Sequence, residues 1–195
     1  AQFGDIDIYL FDQLLRGRFD ARACVLDAGC GDGRNLIYLL QHGFTCYGVD
    51  EDATAIDVMR RTAARVAPQV PADHFTIASI DRLPFDEGSM DVVIASAVLH
   101  FARDEAHCLG MVQEMWRVLA PNGLLFARLA SNIGLESAVG PAGRVVRLPD
   151  GTTRFVVDEA MLLGWTDRLG GRLADPIKTT NVQQQRSMTT WCVIK

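Results

Sequence analysis

What this sequence lacks is the first guide. No apolar run approaches the ~20 residues that a helix needs to cross a bilayer, so no membrane partner is expected. Positive charge is in deficit: 19 Lys and Arg stand against 24 Asp and Glu, a formal net charge of −5. Phosphate backbones are gripped by basic faces, so a nucleic-acid partner is not expected either. The five cysteines, Cys24, Cys30, Cys46, Cys108 and Cys192, are odd in number and show no CxxC spacing. That argues against a zinc site or a redox pair. They read as small buried hydrophobes of a cytoplasmic protein, and no metal is expected. Residues Ala1 to Asp12 lack a basic segment followed by an apolar core and do not read as a secretory leader. Repeats and low-complexity tracts are missing too.

What is there is an ordinary globular balance, 49% hydrophobic and 22% charged over 195 residues, which fits one domain spanning 1–195. Short apolar runs alternate with helical stretches. Strands are expected at Ala23–Ala28, Phe44–Val49, His74–Ser79, Met90–Ala95 and Leu124–Leu129, and helices at Arg34–Gln41, Ala53–Ala67 and Asp104–Leu119, the last stopped by Pro121-Asn122-Gly123. This alternation predicts a doubly wound α/β fold, with a mostly parallel sheet covered on both faces. After the fifth strand, Arg144–Leu148 and Thr153–Val157 flank Pro149-Asp150-Gly151, so a β-hairpin insertion is expected within 140–157. Asp158 reads as the N-cap of a helix over Glu159–Leu169. Lys178–Val182 and Met188–Ile194 lie too close in sequence for a helical crossover and should pair antiparallel.

The chemistry concentrates in Val25-Leu26-Asp27-Ala28-Gly29-Cys30-Gly31-Asp32-Gly33-Arg34-Asn35. A buried strand delivers three glycines onto a helix start, where free N–H groups and a partial positive charge suit a nucleotide-like ligand. Asp50 ends the next strand 21 positions after Gly29, about the interval at which doubly wound folds place a ribose-binding carboxylate. The glycine spacing is G-x-G-x-G, and Arg34 stands where a dinucleotide fingerprint has its third glycine. That spacing argues against an NAD-dependent oxidoreductase.

At these residues the chain resembles class I S-adenosylmethionine (SAM)-dependent methyltransferases. Further segments follow in family order: Gly48-Val49-Asp50, Leu83-Pro84-Phe85, Met90-Asp91-Val92-Val93, Val98-Leu99-His100, Trp116-Arg117-Val118-Leu119 and Pro121-Asn122-Gly123-Leu124. Among the small methyltransferases of types 11 and 12, the Gly33-Arg34-Asn35 ending looks most like the tellurite-resistance branch. The resemblance implies a Rossmann-like seven-stranded sheet with the last strand antiparallel. It implies SAM as donor and S-adenosylhomocysteine as product. It places Gly29, Cys30 and Gly31 at the methionine part of SAM, Asp50 on the ribose hydroxyls, Glu51 beside the adenine, Ser79 and Ile80 at the adenine edge, and Ala95 and Ser96 at the methionine amino group, and it counts Asn35 among the cofactor-binding residues. Many relatives carry Asp where this chain has Ser79, and Asp81 nearby can substitute for it.

Other residues keep two readings. Asp27 either meets the ligand through water or fixes the glycine turn. His100 either positions substrate or accepts a proton, as the one catalytic candidate, or is structural. His42, His74 and His107 show no pairing pattern and read as surface or strand residues. Phe3, Tyr9 and Phe11, in an N-terminal helix within 1–20, either cover the donor as a lid or pack on the sheet. A non-catalytic SAM-binding regulatory protein is the second functional reading. The first is methyl transfer to a small-molecule acceptor, since no segment is large enough for a macromolecule-binding domain.

Overall fold

The computed structural model describes residues 3–136 and 143–195. Positions 140–142 of the expected insertion lie outside the described residues. The main sheet contains β1 (Cys24–Ala28), β2 (Thr45–Asp50), β3 (Phe75–Ile77), β4 (Met90–Ser96), β5 (Leu119–Ala130), β8 (Arg172–Leu173), β9 (Lys178–Val182) and β10 (Arg186–Ile194). Its order is β3-β2-β1-β4-β5-β10-β8, with β9 also on β10. Strands β1 to β5 run parallel, and β10 runs antiparallel to β5.

Two apolar layers make this sheet. Leu26, Val93 and Leu125 face one layer with Cys108, Val112 and Met115 of α4 (Glu105–Val118) and Leu162 and Trp165 of α5 (Glu159–Arg168). Their neighbours Val25, Val92 and Phe126 face the other, with Leu36 and Leu39 of α2 (Leu36–Gln41), Ile56 and Met59 of α3 (Ala53–Val66), and Leu10 of α1 (Ile8–Leu15). Successive strand residues point to opposite faces, so a strand buried on both sides must be apolar throughout. Asp52, Asp104 and Asp158 cap α3, α4 and α5 by accepting from the backbone N–H of Thr54, His107 and Met161. No helix among the described residues is long and apolar enough to cross a membrane.

Two details depart from expectation. The sheet has eight strands rather than seven, because its seventh position is split. Strand β8 pairs with Val193 and Ile194, and β9 with Arg186 to Thr190, along the same strand β10. Pro176 lies between them and has no N–H to give a ladder. Helix α4 ends at Val118, ahead of Pro121-Asn122-Gly123 as expected, but β5 starts at Leu119 rather than Leu124. These three residues therefore lie inside it, where Asn122 takes φ 65° and the register against β4 shifts between Met90 and Val92. Turn residues are accommodated there as an irregularity at the strand start.

The inserted hairpin pairs β6 (Val145–Arg147) with β7 (Thr153–Phe155). The turn has the expected chemistry: Gly151 takes φ +84°, and Asp150 Oδ1 accepts from the Thr152 N–H at 2.9 Å. The Val157 N–H donates to the Ala130 carbonyl, tying the hairpin to the end of β5. The hairpin therefore stands over the carboxyl edge of the sheet, where doubly wound folds bind ligands.

Candidate active site

The site begins at the turn after β1. Gly29 and Gly31 take φ of +80° and +53°, a region costly for residues with a Cβ. The N–H groups of Gly29 and Cys30 both donate to the Val49 carbonyl, at 2.8 and 2.9 Å, which fastens the turn to β2. A Cβ at Gly29 would fall 2.5 Å from Cγ2 of Val98. The Gly31 N–H donates to Asp50 Oδ2 at 2.9 Å, and the Asp52 N–H to Asp50 Oδ1 at 2.9 Å. The carboxylate is thus fixed by backbone, and each oxygen keeps a further lone pair.

Beside this turn lies a cavity of about 470 Å³ lined by Gly29, Asp50, Glu51, Ser79 and Ile80, five residues expected at a donor site, together with Asp81. Sequence reading missed others in its wall. Arg103, His107 and Met111 enter from the start of α4 and the loop before it. His107 Nδ1 accepts from the Arg103 N–H at 3.1 Å, and its Nε2 lies 3.7 Å from Asp81 Oδ2. The signal was present as the four-residue spacing from His107 to Met111, which puts both side chains on one face of α4, with Arg103 in the loop one such step earlier. Ala97 and Val98, rather than Ala95 and Ser96, complete the wall after β4.

The remaining candidates do not line this cavity. Ala95 is fully buried in the core. Cys30 turns its side chain toward Gly48, and burial pushes its thiol up, away from reactive thiolate chemistry. Asp27, Asn35 and Ser96 join a buried polar cluster around Asp7. Asn35 Oδ1 accepts from the Asp7 N–H at 3.1 Å, and Asn35 Nδ2 donates to Asp27 Oδ2 at 3.4 Å. Ser96 Oγ accepts from Arg34 at 2.9 Å, while Arg128 Nη1 holds Asp7 Oδ2 at 2.9 Å. Burial raises the Asp27 carboxyl to about 7, the Asn35 hydrogen bond and Arg34 opposing it. Asp7 was not singled out in the sequence because, beyond its cap on α1 through the Tyr9 N–H, its partners are tertiary, the nearest of them 27 positions away at Arg34.

A second cavity, of about 380 Å³, lies between β5, the hairpin and β10. His100, in the 3₁₀ turn Leu99–Phe101, lines it, with 7% of its surface exposed. Its Nδ1 has no hydrogen-bond partner among the described residues. Burial, assisted by the charge of Arg154, pushes its imidazole down to about 4, so the ring is neutral at neutral pH. Ala97 and Phe101 line both cavities, so the two share a wall.

Known proteins agree with this architecture. Residues 26–127, just over half of the chain, match the model of the methyltransferase domain family. The uncharacterized methyltransferase YodH of Bacillus subtilis is 32% identical over 115 residues, 59% of this chain and 43% of its own. The malonyl-[acyl-carrier protein] O-methyltransferase of Enterobacter lignolyticus is 31% identical over 150 residues, 75% of this chain and 55% of its own. The chain thus spans about half the length of these curated relatives. A crystal structure of a SAM-dependent methyltransferase from Methanosarcina mazei superposes with a TM-score of 0.73 at 19% identity, covering 93% of this chain and 96% of its own. That likeness speaks for the fold, and the family match decides between a SAM and a dinucleotide fingerprint. The chain belongs to the class I SAM-dependent methyltransferase family.

Proposed function

We propose that this protein transfers a methyl group from SAM to a small-molecule acceptor, with the donor held in the cavity beside Gly29 and Asp50. One observation carries this reading: the glycine turn and the Asp50 carboxylate, joined by the Gly31 hydrogen bond, form one wall of a ligand-sized cavity. The residues fit the group. At Gly29 a Cβ has no room, so backbone and ligand can approach closely, and the free lone pairs of Asp50 suit two ribose hydroxyls. Glu51, Ser79 and Ile80 stand where the adenine would lie. Asp27, Asn35 and Ser96, with Cys30, Gly31 and Ala95, act from behind by fixing the turn and the end of β4.

When bound, SAM supplies an electrophilic methyl on a good thioether leaving group. The protein's task is then orientation and exclusion of water rather than strong acid–base chemistry. This accounts for a site rich in backbone contacts and poor in catalytic side chains. His100, neutral and with Nδ1 unpartnered among the described residues, is suited to position an acceptor by a hydrogen bond, while its lowered pKa makes it a weak base.

Calorimetry tests the donor reading directly. S-adenosylhomocysteine should bind and NAD should not. Asp50→Ala should weaken S-adenosylhomocysteine by about 10- to 100-fold, as expected for loss of charge-assisted bonds of about 1.5–3 kcal/mol. Binding of NAD in preference, or a folded Asp50→Ala protein with unchanged affinity, would remove the assignment.

A further inference from the structure

We infer that the second cavity is the acceptor subsite and that it selects an acceptor carrying an oxyanion, a carboxylate or phosphate group, through Arg154 and Arg186. The inference rests on the reading that the first cavity takes the methyl donor. Because Ala97 and Phe101 belong to both walls, the second cavity adjoins the first at that point.

In a chain with a net charge of −5, this cavity inverts the local sign. Its walls carry guanidinium groups from three elements, Arg128 on β5, Arg154 on β7 and Arg186 on β10. Arg128 is paired with Asp7 at 2.9 Å. Among the described residues, no carboxylate lies within ion-pair distance of Arg154 or Arg186. The one carboxylate in the lining, Asp150, accepts from the Thr152 N–H and hydroxyl at 2.9 and 2.7 Å and feels the charges of Arg186 and Arg154, so three guanidinium groups face a single carboxylate.

Arg154 is also pre-arranged. Its guanidinium lies over the Phe101 ring at 4.8 Å, and one nitrogen donates to the Thr153 carbonyl at 2.8 Å. A stacked guanidinium has less freedom left to lose when it grips an oxyanion through its other donors.

Two buried polar atoms on residues of the same lining, His100 Nδ1 and Arg128 Nε, have no partner among the described residues. Unpaired polar atoms beside two unpaired cations suit a polar anionic occupant and oppose an apolar one. The four residues come from separate stretches of chain, so their convergence is a property of the fold rather than of a local charge run.

The test uses the whole protein saturated with S-adenosylhomocysteine, titrated by NMR with matched probes: benzoate against benzamide, succinate against succinamide, and phenyl phosphate against phenol. At least one anion should bind about tenfold tighter than its neutral counterpart. Arg154→Gln and Arg186→Gln should each weaken that anion by about fivefold or more, with the affinity for S-adenosylhomocysteine unchanged. The phenyl phosphate and succinate arms distinguish phosphate from carboxylate. Equal binding of anions and neutral partners, no anion bound up to about 20 mM, or indifference to both arginine variants would overturn the inference. A wild-type protein that fails to bind S-adenosylhomocysteine would instead overturn the donor reading.

Discussion

The two cavities share a wall but are built by different means. The donor cavity has one side fixed by backbone, the turn at Gly29, two N–H donors on Asp50 and loops that follow β1, β2 and β3, and is closed by the loop after β4 and the start of α4. The second cavity is walled by long side chains from the end of β4, from β5, from the inserted hairpin and from β10. Backbone construction tolerates almost no change of residue at a few positions. Side-chain construction can be recast one residue at a time while the sheet stays intact. A fold that holds one constant ligand and many acceptors gains from this division.

The sharpest way to break the comparison is Gly29→Ala. The added methyl would meet Val98 at 2.5 Å while the backbone holds φ +80°. Positive φ alone costs about 1–2 kcal/mol for a residue with a Cβ, and the clash adds to it. Calorimetry should show affinity for S-adenosylhomocysteine reduced by at least about 100-fold, or about 2.7 kcal/mol. Gly29→Ala/Val98→Ala should recover part of that loss, because only the strain would remain. Normal binding by the single variant would mean that close backbone approach does not define the donor cavity.

This difference in construction also explains what the sequence could disclose. Gly29, Asp50, Glu51, Ser79 and Ile80 follow strand ends, and strand ends are legible from apolar runs and turn residues. Asp7, Arg128, Arg154 and Arg186 are ordinary charged residues in sequence. They gain meaning only when β10 returns beside β5 and the hairpin folds over both. His107 fell between these cases, since its four-residue spacing from Arg103 and Met111 was readable but was masked by its lack of a ligand-like pattern. The split of the seventh strand position depends on how Pro176 meets β10, a tertiary fact that no periodicity records.

The halves also differ in how they answer to pH. Asp27, on the donor side, has its carboxyl raised to about 7. Between its unfolded value near 3.9 and that level, the folded state binds the extra proton, so its contribution is greatest below pH 4 and is lost as pH rises toward 7. His100, on the acceptor side, is lowered to about 4. Its contribution is present above about pH 6.5 and is lost as pH falls toward 4, because there the unfolded state binds the extra proton. Asp27→Asn removes only the first slope. Urea unfolding should therefore find the variant gaining on the wild type by at least about 1.4 kcal/mol between pH 5 and pH 8, one unit of differential proton binding. A constant difference across that range would place Asp27 in contact with solvent or with a compensating charge.

The smallest expected effect concerns α1, which bridges the two halves. Its first residue inward, Asp7, reaches Asn35 on the donor side and Arg128 on the acceptor side. Its Tyr9 hydroxyl lies 2.6 Å from Thr180 Oγ1, with Arg128 over the Tyr9 ring at 5.1 Å. Tyr9→Phe keeps the ring and deletes one hydrogen bond, a loss of about 1 kcal/mol. If α1 is a lid that opens apart from the sheet, the whole loss should appear in its own opening equilibrium. Exchange at the amides of Phe11 and Arg16, which bond back to Asp7 and Asp12, should then quicken about fivefold while amides of β1 and β4 keep their protection. S-adenosylhomocysteine should restore most of the difference, since a ligand that binds only the closed state draws the helix back. Equal acceleration in α1 and in the central strands would make the helix part of the global folding unit, and the entrance to the site would then have to open at the hairpin.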